Sequence, residues 1–151
     1  MGSYRSRSIY HLHIQLEEIE PAIWRRISVP GKISLARLHR LLQLAMGWEN
    51  YHLHLFTIGE VLYGEPDPEY ADEGIQIKHD RHASVRDMLR TEGMRFRYDY
   101  DFGDNWRHDM LVERIELLDA EDWVAPRCLD SRRACPPEDC GVSGYDELLV
   151  H

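Results

Sequence analysis

Three groups of side chains in this sequence have residue types and spacings that could do chemistry. The first lies in YDYDFGDNWRHDM, Tyr98 to Met110, which crowds aspartates, tyrosines, Phe, Trp and His around one glycine. Asp101 and Asp104 beside His108 would make a carboxylate–imidazole set able to accept and return a proton, so these three are the catalytic candidates. Turn aspartates also tie down backbone amides, and Asp104-Asn105 has the composition of such a turn. The second group is His52 and His54, one residue apart in YHLHLF. On a strand both rings project from one face, which suits a histidine-x-histidine metal pair or a ligand contact. His11 and His13 repeat the HLH pattern on another strand. The third is Cys128, Cys135 and Cys140. Three thiolates with His54 or His108 as fourth ligand would complete a tetrahedral zinc site. The segment lacks a Cys-x2-Cys knuckle, so packing of small buried thiols competes with zinc, and a Cys135–Cys140 redox pair is a third option. Trp48 and Trp106, with His52 and His54, complete the ligand-binding candidates; Trp24, Trp48 and Trp106 read as core or groove wall rather than a base-stacking platform.

The elements that must position these groups are legible from periodicity. IYHLHIQLE alternates, with Tyr10, Leu12, Ile14 and Leu16 on one face, and predicts a strand. AIWRRISVP predicts a second, with Ile23, Arg25, Ile27 and Val29 on one face. Ser34 is a good N-cap for a helix through Leu35, Leu38, Leu41, Leu42 and Ala45, with Arg37, His39, Arg40 and Gln43 on the other face and Gly47 as its stop. YHLHLFTI predicts a third strand. A loop rich in Gly, Pro and acids follows, with short strands at Val61–Tyr63 and Ile75–Lys78. Ser84 caps a short helix through Val85, Met88 and Leu89, stopped by Gly93. MRFRYDYDF and WRHDMLVERIELL then flank Gly103-Asp104-Asn105 as a β-hairpin. The tail from Val124 reads as irregular. The order hairpin, helix, strand, short helix, hairpin predicts an α+β fold: a mostly antiparallel mixed sheet packed on one main helix, β-grasp-like or roll-like.

The chain's 151 residues fit one domain, taken as 8–151 with a disordered 1–7. A net charge of −9 argues against nonspecific nucleic-acid binding, although Arg5, Arg7, Arg25 and Arg26 could form a local basic patch. No apolar run is long enough to span a bilayer and no signal-peptide pattern opens the chain, so the expected address is cytoplasmic, with no membrane partner. Three cysteines without a secretion signal do not suggest a disulfide framework. No Gly-rich phosphate loop is present.

IYHLHIQLEEIEPAIWRRISVPGKISLARLHRLLQLAMGWENYHLHLF, YDYDFGDNWRHDM, and ACPPEDCG followed by GY together resemble the plasmid pRiA4b ORF-three-like family, over nearly the whole chain. The resemblance implies an α+β fold and a bacterial or archaeal source, frequently on plasmids or mobile elements. It brings no biochemical activity. Family-like positions here are Trp24, Arg25, Arg26, Pro30, Leu38, His39, Gly47, Trp48, His52, His54, Tyr63, Gly64, Asp101, Gly103, Asp104, Trp106, His108 and the Cys135–Cys140 stretch. Asn105 replaces the family's second aspartate, Val142 a glycine, and the family's C-terminal helical segment does not follow LLVH. The function expected is a non-enzymatic binding module for an unknown small molecule or protein. The alternatives are a metal-dependent hydrolase or nuclease-like enzyme using His52, His54, His108 and Asp101 or Asp104, and a small protein with a structural zinc in the cysteine tail.

Overall fold

The computed structural model describes residues 7–18, 22–50, 53–100, 106–118 and 125–132. Alternation of apolar and polar residues builds β1 (Arg7–Leu16), β2 (Trp24–Pro30), β3 (His54–Ile58), β6 (Arg95–Tyr100) and β7 (Trp106–Leu118). Shorter strands are β4 (Val61–Gly64), β5 (Ile77–His79) and β8 (Arg127–Arg132). All eight join one sheet in the order β5-β4-β3-β6-β7-β1-β2-β8. Every pairing is antiparallel except β4 with β5. Tyr10, Leu12 and Ile14 of β1, Ile27 and Val29 of β2, Phe96, Tyr98 and Tyr100 of β6, and Met110 and Val112 of β7 are all buried. They join Leu35, Leu38, Leu41, Leu42 and Ala45 of α1 (Leu35–Met46) in one apolar cluster. Each fully buried leucine contributes about 2 kcal/mol by leaving water. This is the α+β arrangement the periodicity predicts.

Two serines position the region around the site. Ser34 caps α1 by accepting from the Arg37 N–H at 3.0 Å, and Ser84 caps α3 (Val85–Met88) by accepting from the Asp87 N–H at 3.3 Å. The two caps also pair with each other as an isolated antiparallel bridge. The Leu35 N–H donates to Ala83 O and the Val85 N–H to Ile33 O, both at 2.8 Å. Each helix thus satisfies one free N–H of the other, and the 3₁₀ turn Asp80–His82 is brought against α1.

Several local expectations change. Val124 onward is not wholly irregular: β8 pairs with β2. Within the acidic loop, Pro68–Asp72 forms a short helix, α2. Gly93 does not stop α3, which ends at Met88; with φ +86° it turns the chain into β6 instead. His39 and Gln43, assigned to the outer face of α1, are only 4% and 3% exposed. Arg25 contributes to no surface patch. It is fully buried, donating from Nε to Ala45 O at 3.1 Å and from Nη1 to Trp24 O at 2.9 Å. A cation on a carbonyl in the last turn of α1 meets the negative end of the helix dipole, which is why the inner face of β2 accepts it.

Candidate functional site: a histidine–aspartate cleft

α1, β3 and the 3₁₀ turn enclose a polar cleft of about 550 Å³. Its wall includes His39, Arg40, Asn50, His54, Glu65 and Asp80. His54 opens β3, and its Nε2 donates to Asp80 Oδ2 at 2.5 Å. Asp80 is 1% exposed. Burial alone would raise its carboxyl; the hydrogen bond and charge of His54, with His39 and His79, outweigh this and hold it below the usual carboxylate range. With Nε2–H held by the carboxylate, Nδ1 is the ring's other hydrogen-bonding atom. That atom makes no hydrogen bond among the described residues and keeps access to the cleft. A carboxylate-oriented imidazole with one open nitrogen can accept a proton, hold a ligand hydroxyl, or, once charged, donate to an anion.

His39 lies flat against His54, ring centroids 3.5 Å apart and planes 9° from parallel. It belongs to a closed loop of hydrogen bonds. Gln43 Nε2 donates to Tyr98 Oη at 2.8 Å, Tyr98 donates to His39 Nδ1 at 2.7 Å, and His39 Nε2 donates to Asn50 Oδ1 at 2.7 Å. The Asn50 N–H closes the loop on Gln43 Oε1 at 2.9 Å. Asn50 reaches this position with φ 60°, a left-handed conformation that asparagine tolerates better than most residues. Burial, then the neighbouring His54 charge, push the His39 imidazole down to about 4, against the opposing pull of its Asn50 bond. His39 is therefore a neutral platform under His54.

The sequence-derived candidates separate. His54 lines the cleft. His108 does not: it is fully buried, donates from Nδ1 to Tyr98 O at 3.1 Å, and has no partner for Nε2 among the described residues. Burial lowers its imidazole to about 4, while backbone bonds at Tyr98 and Trp106 act the other way. His54 and His108 pack on the same Tyr98 ring, at 6.4 and 5.1 Å between centroids. Trp48 and Trp106, 5.8 Å apart, form an aromatic wall with Tyr100 and His108 rather than lining this cleft. His11 binds Glu116 at 3.1 Å, and His13 stacks on Trp24 at 5.3 Å, so that HLH pair does two separate jobs. No group of three metal-ligating side chains occurs among the described residues. Cys128 on β8 is disulfide-bonded, although the cysteine count does not suggest a disulfide framework. A sulfur so engaged is not a thiolate ligand, so zinc there would require the reduced chain. His52, Asp101, Asp104, Cys135 and Cys140 lie outside the described residues.

Sequence reasoning missed His39, Gln43, Asn50, Tyr98 and Asp80 as members of a site. His39 and Gln43 stand one helical turn apart, a signal that a polar stripe shares one face of α1. Asp80 lay in plain view in KHDRH, but nothing local shows that it packs on His54, 26 positions away.

Comparison with known proteins gives the chain's relatives. The model of the plasmid pRiA4b ORF-3-like protein family matches residues 8–151. The chain belongs to this family. The uncharacterized protein y4hQ of Sinorhizobium fredii (strain NGR234) is 40% identical over 143 residues, covering 93% of this chain and 71% of that one. Among solved structures, that of MM3350, a protein of unknown function from Methanosarcina mazei Go1, superposes with a TM-score of 0.72 at 33% identity. The match covers 98% of this chain and 83% of MM3350. Neither relative's name carries an activity, and the family is plasmid-associated. Among the described residues, no helix is long and apolar enough to cross a membrane.

Proposed function

We propose that the protein is a small-molecule binding module whose ligand site is the His54–Asp80 cleft. One observation carries this: His54 has one nitrogen fixed by a buried carboxylate and the other left open to a polar cavity. His39, by contrast, has both nitrogens engaged inside the fold. The remaining wall, with Arg40, Asn50, Glu65 and Arg81 at its exposed mouth, offers charged and polar groups of both signs to a ligand. The test is a thermal-shift screen of small polar compounds, with hits mapped by amide chemical shifts. Perturbation should concentrate on Arg40, Asn50, Leu53, Glu65 and Arg81 and vanish in His54→Gln. Hits that instead move the outer face of β1 and β2 would overturn the assignment.

The same dyad favours one second reading, an enzyme in which His54 Nδ1 is a general base. No Ser, Thr or Cys is among the described residues lining the cleft, so the attacking group would be water or a substrate hydroxyl. Hydrolysis of a p-nitrophenyl ester or phosphodiester, abolished in His54→Gln, would support it. Equal turnover by wild type and variant would remove it.

A further inference from the structure

The charges at the mouth of the cleft narrow the ligand class, on the reading that the cleft is the ligand site. Arg40 is exposed on α1 and makes no ion pair or hydrogen bond among the described residues. Elsewhere on the surface, arginines of the sheet find carboxylates: Arg26 with Glu113, Arg95 with Asp109, Arg107 with Asp99. Arg81 contacts the imidazole Nε2 of His79 at 3.1 Å through Nη2, which braces its guanidinium at the other side of the cleft without neutralising it. Asp80 is committed to His54 and His79 and is closed off from solvent. Glu65 is then the one acidic side chain at the rim among the described residues.

We infer that the cleft takes a small molecule bearing an oxyanion, phosphate or carboxylate, bound between Arg40 and Arg81 with His54 Nδ1–H as the third donor. Guanidinium groups suit this work because their planar N–H pairs match two oxygens at once. An anion's oxygens only accept hydrogen bonds, so His54 contributes as a donor from Nδ1, with Asp80 accepting from Nε2–H behind it. The titratable and charged groups facing His54 are His39 and Arg40 from α1, His79, Asp80 and Arg81 from the 3₁₀ turn and its approach, Glu65 after β4, and Tyr98 from β6. His39 stays neutral in its hydrogen-bonded loop and Tyr98 stays protonated in the core, so neither adds charge to the cleft.

Sulfate is the probe that tests this, because it is a small oxyanion whose oxygens suit guanidinium N–H pairs. Sulfate titrated into the full chain should move the amides of Arg40, Leu53, Glu65 and Arg81 saturably. Arg40→Gln, at an exposed position, should keep the wild-type circular dichroism spectrum and bind about tenfold more weakly. His54→Gln should bind about tenfold more weakly, and Glu65→Gln should bind more tightly than wild type. Wild-type affinity in Arg40→Gln or in His54→Gln, or no saturable shift, overturns the inference. If sulfate fails while uncharged polar compounds still perturb the cleft, the oxyanion class is wrong and the cleft itself stands. Once sulfate binds, phosphate esters and dicarboxylates compared at matched ionic strength distinguish the two oxyanion sources.

Discussion

At the scale of single residues, the buried imidazoles dictate how the protein responds to acid. His39 and His108 are both held at about 4 in the fold, against 6.5 for a free histidine. Between those values the unfolded chain binds more protons than the folded one, so stability rises with pH through this window and is complete above 6.5. The denaturant midpoint should accordingly drop as pH falls through that range, each ring contributing about 3 kcal/mol by its lower end. His108→Phe should flatten the slope in urea titrations; an unchanged slope would show that His108 is charged in the fold. Asp80 acts in a lower window. Its folded pKa is depressed, so its stabilisation is present above the unfolded value of 3.8 and lost as pH falls through the folded one. Asp80→Ala should cost about 2 kcal/mol at neutral pH, measured by urea denaturation, because His54 Nε2–H loses its acceptor. Asp80→Asn, which still offers an oxygen, should cost less.

Elements position what residues alone cannot. The Ser34 and Ser84 caps were legible from sequence as two separate helix starts, and both are correct. Their mutual bridge was not, because it depends on two segments 50 positions apart meeting edge to edge. Arg25 shows the same limit. Period two assigned it to the inner face of β2, yet charge made a surface role equally reasonable; only the arrival of the α1 C-terminus over it decides the matter. Arg25→Lys should lower stability by about 2 kcal/mol, since an ammonium cannot reproduce a guanidinium's fixed, branched set of donors. Thermal denaturation checks this, and a melting temperature equal to wild type would mean that Arg25's polar bonds contribute nothing net.

Among the described residues, the sheet has a centre and two edges. β6, β7 and β1 each have strand neighbours on both sides, whereas β5 and β8 each border on one. Amide hydrogens of β7 and β1 should therefore exchange last, near the global unfolding free energy, and those of β5 and β8 first. Exchange of β8 as slow as β7 would contradict that order. Long-period features such as these strands and α1 were readable because their apolar faces repeat along the chain. The cleft was only partly readable. His54 stood out by type and spacing, but its partner carboxylate comes from a turn, and its imidazole platform from a helix face that looked solvent-facing. Contacts between distant segments leave no periodic trace.

The loop joining Gln43, Tyr98, His39 and Asn50 runs in one direction only. Three of its members could in principle reverse: an amide can flip, a hydroxyl can rotate, an imidazole can change tautomer. The Asn50 contribution on one side is a peptide N–H, which can only give. It obliges Gln43 to present its oxygen there and its nitrogen to Tyr98; Tyr98 must then pass its proton toward His39 Nδ1, and His39 must carry its own on Nε2. Adding a second proton to His39 would set two hydrogens against each other at Tyr98 and leave the circuit with no consistent sense. One backbone amide, in one left-handed residue, thus fixes the polarity of the ring against which His54 rests.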